Sequence, residues 1–167
     1  MRPPVNHPIP GAKSTVLAAA LAGSEDDAEV QILRSADFDR LGVDWAAFAA
    51  KAQVQASAEL VRLTPEYVRD KHEVIECAIL RSDRPTTTSA ALAQEFLTRF
   101  ADTFGSKLLI AIPNRFTIYV FPALASRYRD YGAQVLSDYN TATYPVSREV
   151  FELSAQGLRA VGTFERP

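Results

Sequence analysis

The sequence is poor in the residues from which reactive centres are usually built. Cys77 is the single cysteine in 167 residues, so no internal disulfide framework and no multi-cysteine zinc site can form within one chain. A lone thiol agrees with a reducing, cytoplasmic setting. The two histidines, His7 and His72, lie far apart in the chain and give metal or triad chemistry little material. A surplus of one charge is also missing: 18 basic against 20 acidic residues leave a net charge of -2, with no dense Lys/Arg cluster. A face that neutralises many phosphates is not expected, and neither is a nucleic-acid partner. No apolar run approaches the roughly 20 residues that span a bilayer.

What the sequence does have is a good core. Its clearest stretch runs from Lys107 to Pro122, where Leu108–Ile112 and Phe116–Phe121 flank Pro113-Asn114-Arg115. β-branched and aromatic residues in both runs predict a central β-hairpin buried on its two faces. A two-residue loop at Asn114-Arg115 would pair Ile110 with Tyr119 and Ile112 with Thr117, although Arg is a poor second residue for such a loop. Periodicity predicts three firm helices: Asp44 to about Leu63, Ser89 to Phe104, and one led by Pro122 through Ser137. Their apolar stripes are Trp45, Phe48, Ala52, Ala56, Leu60 and Leu63; then Leu92, Phe96 and Phe100; then Leu124, Tyr128, Tyr131 and Val135. Short helices are expected at 14–22, stopped by Gly23, and at 35–41, closed by Gly42. Thr64-Pro65-Glu66 reads as a turn or a helical start. Further strands are expected at 29–33, 72–80, 149–154 and 158–164, the last two as a hairpin turning at Gly157. The expected class is α+β: a mainly antiparallel sheet of about five strands carrying three or four helices in a single layer. Residues 1–13, rich in proline, form an arm or tail, and 14–167 form one domain.

Two motifs need weighing against plainer readings. Gly11-Ala-Lys-Ser-Thr15 resembles the end of a phosphate-binding loop, but Ala12 separates Gly11 from Lys13 and a Pro-rich segment replaces the strand that should precede it. Arg2, Lys13 and the apolar run Val16–Ala22 outline a secretory leader, yet the charged part is long and proline-rich and the apolar part mostly alanine. The 24–27 acidic stretch reads as a solvated loop.

Ile79-Leu80, Ser89-Ala-Ala-Leu-Ala-Gln-Glu-Phe96, Phe104-Gly105, Leu108-Leu-Ile-Ala-Ile-Pro-Asn-Arg115 and Tyr119-Val-Phe121 together resemble the bacterial YtpQ-like family of unknown function. The resemblance implies a helix, a glycine step and a strand ending in a Pro-Asn-Arg turn, over about two thirds of the chain, and no known reaction. An acidic residue tends to follow that turn in the family, where this chain has Phe116.

Candidate binding residues are Asn114 and Arg115 at the hairpin tip, Arg127 and Tyr128 on the third helix, and His72 at a strand start. A guanidinium at a rigid tip suits a carboxylate or phosphate; the plainer reading gives Asn114 to the turn and leaves Arg115 solvated or covering an apolar face. His72 with Glu76 offers acid–base chemistry only weakly, and Cys77, set between Ile75 and Ile79, is expected to be buried and inert. Ser126, Ser137 and Ser147 lack the glycine context of a nucleophile. No catalytic residue, metal or cofactor is expected. The leading expectation is a non-catalytic module that binds a protein partner or itself; the alternative is an anionic-ligand domain or enzyme using Arg115, Arg127 and His72. Convergence of those three in one concavity would favour the ligand, and an apolar face would favour association.

Overall fold

The computed structural model describes residues 6–22, 30–124 and 126–165; the predicted 24–27 loop and Gly23 lie outside them. In chain order the described elements are β1 (Asn6–Pro8), β2 (Val16–Ala18), β3 (Ala20–Ala22), β4 (Val30–Ile32), α1 (Ser35–Arg40), α2 (Trp45–Arg62), β5 (Glu66–Arg69) and β6 (Ile75–Arg81). A 3₁₀ turn (Thr87–Leu92), α3 (Phe96–Phe104), β7 (Leu108–Asn114), β8 (Thr117–Pro122), a second 3₁₀ turn (Arg127–Tyr131), α4 (Gly132–Asn140), β9 (Glu149–Ser154) and β10 (Gly157–Thr163) follow. Six strands make one antiparallel sheet in the order β10-β9-β7-β8-β6-β5, and β1-β2 and β3-β4 form two small ribbons.

The class is α+β with a mainly antiparallel sheet, as the patterning implies. The layering is corrected: helical segments cover both faces of the sheet instead of one. Alternation along β6–β8 sends Ala78, Leu80, Leu108, Ile110, Ile118 and Val120 to one face, under Ala56 and Leu60 of α2 and Phe96, Phe100 and Phe104 of α3. The opposite set, Cys77, Ile79, Leu109, Ala111, Tyr119 and Phe121, meets Val135 and Leu136 of α4 with Phe164, Tyr128 and Tyr131. A central hairpin buried on both faces needs two covers, and α4 is the second.

The hairpin register also differs from expectation. Ile110 pairs with Val120, Ala111 with Tyr119 and Asn114 with Thr117, so Arg115 and Phe116 are the two loop residues. Asn114 stands before the turn and its Oδ1 accepts the Phe116 N–H at 2.9 Å, while neither loop residue takes a positive φ. The register shift between Ala111 and Asn114 absorbs the residue that this placement adds to β7.

Three helix expectations are corrected. Residues 16–22 are strands, not a helix: a lone helix that short is marginal, whereas β1 and β4 supply partners for their backbone groups. The predicted 89–104 helix breaks at Ala93, which is extended. Gln53 of α2 secures the break: its amide donates to the Leu92 carbonyl at 2.5 Å and accepts the Gln94 N–H at 3.2 Å. Leu92 is consequently half exposed and off the Phe stripe. The third helix begins late, because Pro122 ends β8 and Leu124 is fully exposed, not part of a buried stripe.

Thr64-Pro65-Glu66 leads into edge strand β5, where proline just outside the ladder costs no bond. β6 starts at Ile75 and not at His72, since 70–74 fold into a tight turn with Glu73 at φ 64. The β5–β6 register shift places Glu76 as an extra residue opposite Val68-Arg69. Ile75 therefore joins the α2–α3 side, away from Cys77 and Ile79, with which it was expected to share a face.

Candidate functional site

The sequence-predicted binding residues fall at opposite ends of the sheet. Arg115 sits at the β7–β8 tip, beside the end of β6, where Arg81 pairs with Thr117. Arg127 follows the far end of β8, after Pro122, near the β5–β6 turn that carries His72. The six residues of β8 hold the two ends roughly 17 Å apart at the usual rise per strand residue. Arg115, Arg127 and His72 do not converge.

At the Arg127 end the guanidinium is engaged by two carboxylates. Nη1 donates to Glu76 Oε1 at 2.7 Å and Nη2 to Asp70 Oδ2 at 3.3 Å. Asp70 Oδ1 accepts the backbone N–H groups of His72 at 2.7 Å and Val74 at 3.0 Å. Its carboxyl is held below the usual range, chiefly by the Val74 N–H, with help from the His72 N–H and the Arg127 charge. Tyr131 donates to Glu76 Oε2 at 2.7 Å, and burial together with that bond raises its phenol above the ordinary value. One arginine between two carboxylates leaves no positive field for an anion. The bulge that turns Glu76 toward Arg127 builds this network, so its role is to fasten the second 3₁₀ turn to β6. Tyr128 is likewise structural: its ring packs edge-on against Phe121 and Phe164. His72 is exposed on the turn. Cys77 is fully buried, and burial pushes its thiol up to about 11.

The hairpin-tip end is more basic. Arg115 stacks its guanidinium 4.5 Å above the Tyr144 ring, and its N–H donates to the Tyr144 carbonyl at 3.2 Å. Arg148 lies 5.6 Å from the Tyr139 ring. Arg81 donates to the Tyr119 hydroxyl at 3.2 Å and stands 3.8 Å from Asp138. Tyr119, fully buried, donates to Asp138 Oδ2, and burial with that bond raises its phenol well above its ordinary value. Asn114 serves the turn, and its Nδ2 reaches the Asp138 carbonyl at 3.4 Å. Arg81, Arg115 and Arg148, each against a tyrosine ring, make this end an arginine- and tyrosine-lined edge. An open groove lies elsewhere, along α4, lined by Arg129, Leu136, Ser137, Asn140 and Glu165 among others, and holds none of the five predicted residues. Among the described residues no three His, Cys, Asp or Glu side chains are placed to hold a metal ion, and no helix is long and apolar enough to cross a membrane.

A third feature, missed by periodicity, is the outer face of α2. Its inner side is anchored late: Ala56, Glu59 and Leu60 are buried, and Arg99 of α3 donates to the carbonyls of Leu60 and Leu63 that end the helix. Trp45 and Phe48 pack with Phe38 of α1, and the Trp45 ring lies 3.8 Å from His7 of the N-terminal segment. Ala47, Ala50, Val54, Ala58 and Val61 are all exposed, Val54 at 72% and Val61 at 82%. At about 100° per residue they form a second stripe roughly opposite the first. The available signal was charge: from Trp45 to Ala58 the helix carries one charged residue, Lys51.

Comparison with protein-family models, with curated proteins and with solved structures finds no match.

Proposed function

We propose that this protein is a non-catalytic self-association module, and that two copies join through the outer face of α2. The observation that carries this reading is the exposed apolar stripe Ala47, Ala50, Val54, Ala58, Val61. Its spacing reads the same from either end about Val54. An antiparallel pair with a two-fold axis at Val54 therefore sets Val54 on its own copy, Ala50 on Ala58 and Ala47 on Val61, the self-complementarity that an isologous dimer needs. Small residues allow the backbones to approach closely, and no charge lies on the stripe. A single helix pair stands at the low end of specific interfaces, on the order of 1,000 Å² in total, so the dimer is weak and concentration-dependent.

The test is sedimentation of the wild-type chain with a disulfide trap. Val54→Cys should oxidise to a covalent dimer, because a residue on the two-fold axis meets its own copy within disulfide reach, while buried Cys77 stays unreacted. Thr98→Cys, exposed on α3, should not cross-link. Val54→Lys should leave the melting temperature unchanged and the protein monomeric. A wild-type chain that sediments as a monomer up to millimolar concentration would sink the proposal.

A second reading rests on the cationic tip. Arg115 and Arg148, each held against a tyrosine ring, are preorganised to receive a carboxylate or phosphate. In this form the anionic-ligand alternative uses Arg81, Arg115 and Arg148, and omits His72 and Arg127.

A further inference from the structure

The Gly11–Thr15 loop, whose sequence only partly follows a phosphate-binding loop, encloses an anion that belongs to the chain itself. Glu149 at the start of β9 is buried, 3% exposed. Its Oε1 accepts the Lys13 N–H at 2.7 Å, and its Oε2 accepts the Thr15 hydroxyl at 2.6 Å, with the Ser14 N–H and hydroxyl at 3.4 and 3.3 Å. Thr15 has one hydroxyl proton, which goes to Glu149, so the Ser147 hydroxyl 2.6 Å away donates to Thr15. The Glu149 N–H closes the ring by donating to Ser147 Oγ at 3.0 Å. Successive backbone N–H groups backed by hydroxyls are the donors that phosphate loops present to their ligand. Burial works against the Glu149 charge, but the Lys13 N–H, Thr15 and Ser14 outweigh it and hold the carboxyl below its usual range.

The same loop passes over the open edge of the sheet. The Pro10 carbonyl accepts the Ala160 N–H of β10 at 2.8 Å. Gly11, at φ +76, comes so close that a Cβ there would lie 2.5 Å from the Ala160 carbonyl oxygen. β10 is the last strand of the sheet, and an uncovered edge is a template for pairing with another chain.

We propose that Glu149 is the pin of a latch: its carboxylate occupies an anion cradle in the Gly11–Thr15 loop, and this fastens the N-terminal segment as a guard across the β10 edge. The cradle recognises a tetrahedral or planar oxyanion, so an inorganic anion can replace the pin once the side chain is removed.

The experiment compares backbone hydrogen exchange of wild-type protein and Glu149→Ala, with and without inorganic phosphate or sulfate. In Glu149→Ala the amides of Lys13, Ser14 and Ala160 should exchange about tenfold faster or more while those of β7 and β8 keep their protection, as a local opening requires. Emission of the single tryptophan should change as His7 leaves the Trp45 ring. Phosphate or sulfate should restore protection, and chloride at equal ionic strength should not. Unchanged exchange at Lys13 and Ser14 overturns the latch; loss of protection throughout the sheet reassigns Glu149 to the core; rescue by chloride as well overturns the cradle. Should Glu149→Ala fail to fold, Ser14→Ala/Thr15→Val removes the hydroxyl donors while keeping the carboxylate. It must then give the same local opening, and protection equal to wild type overturns the proposal.

Discussion

Replacing Arg84 by alanine tests how α2 is held with its outer face free. Glu59, on the inner side of α2, is 6% exposed. Its carboxylate accepts Arg84 Nε at 3.1 and 3.2 Å, Arg84 Nη2 at 2.9 Å and the Thr86 hydroxyl at 2.9 Å, with Arg62 at 3.7 Å. Removing one partner of a buried ion pair costs about 3–5 kcal/mol, most of it from the charge left behind. Here the Arg84 side chain is 34% exposed, and Thr86 and Arg62 stay with the carboxylate. Solvent screening then reduces the expected loss to about 2 kcal/mol.

Urea unfolding at neutral pH measures this directly, and the pH dependence checks its origin. Burial opposes the Glu59 charge, but the bonds from Arg84 and Thr86 and the charges of Arg84 and Arg62 outweigh it, so the folded carboxyl titrates below its unfolded value of 4.5. A depressed carboxyl contributes stability that is present above that unfolded value and fades as pH falls through the lower folded one. The gap between wild type and Arg84→Ala should therefore be constant near neutrality and close in acid. Glu59→Met/Arg84→Met, which removes both charges and keeps apolar bulk, should cost less than Arg84→Ala alone. A loss under about 0.5 kcal/mol for Arg84→Ala would mark the pair as a surface contact, and a double variant worse than the single would refute the buried-charge argument.

Two further outcomes follow from the same geometry. Cys77, buried with its thiol raised to about 11, should not react with a disulfide reagent at pH 8 in the native protein and should react on unfolding; rapid native labelling would contradict its packing under Tyr131 and Val135. If the cationic tip binds anions, phosphate or a dicarboxylate should raise the melting temperature of wild type, with the shift lost in Arg115→Ala and retained in Arg127→Ala, whose guanidinium is engaged by Asp70 and Glu76. An equal loss in both variants would count against a site at the tip.

The parts of the fold legible in the sequence are those where one pattern had no rival. Alternating β-branched and aromatic residues in 108–122 gave the central hairpin, and Asp44 capped α2 through the Ala47 N–H at 2.8 Å. Gly157 has the positive φ expected of it, +109, but pairs with Ser154 at the start of β10, so Ala155 and Gln156 are the loop residues of the final hairpin. Where local preference met a distant partner, the partner won. Alanine at 18–20 favours helix, yet β1 and β4 pull both flanks into ribbons. The 89–104 stripe is helical in period, yet Gln53 takes the backbone groups on either side of Ala93. The register of the tip was hidden for a smaller reason: Asn114 bonds forward to Phe116, which moves it from inside the loop to just before it. Among the candidate residues, the patterning named Arg127 and Tyr128 without their acidic neighbours, Asp70 of the β5–β6 turn and Glu76 of β6, or their aromatic ones, Phe121 of β8 and Phe164 of the C-terminal segment.

The outer face of α2 shows why amphipathic reading stopped one step short. A stripe of Trp45, Phe48, Ala52, Ala56, Leu60 and Leu63 is enough to orient the helix and leaves the character of its other side undecided. Alanine hides the second stripe, because it favours helix and scores weakly as apolar on either face. Yet a solvent-facing helix surface ordinarily carries lysine, glutamate and arginine, and this one has only Lys51 before Glu59. Val54 and Val61 add to the argument: β-branched residues lower helix propensity slightly, and largely exposed ones contribute little packing in return. An outward face that lacks charge and includes such residues has a physical use if it is covered, and the symmetry of its spacing about Val54 matches a second copy of itself.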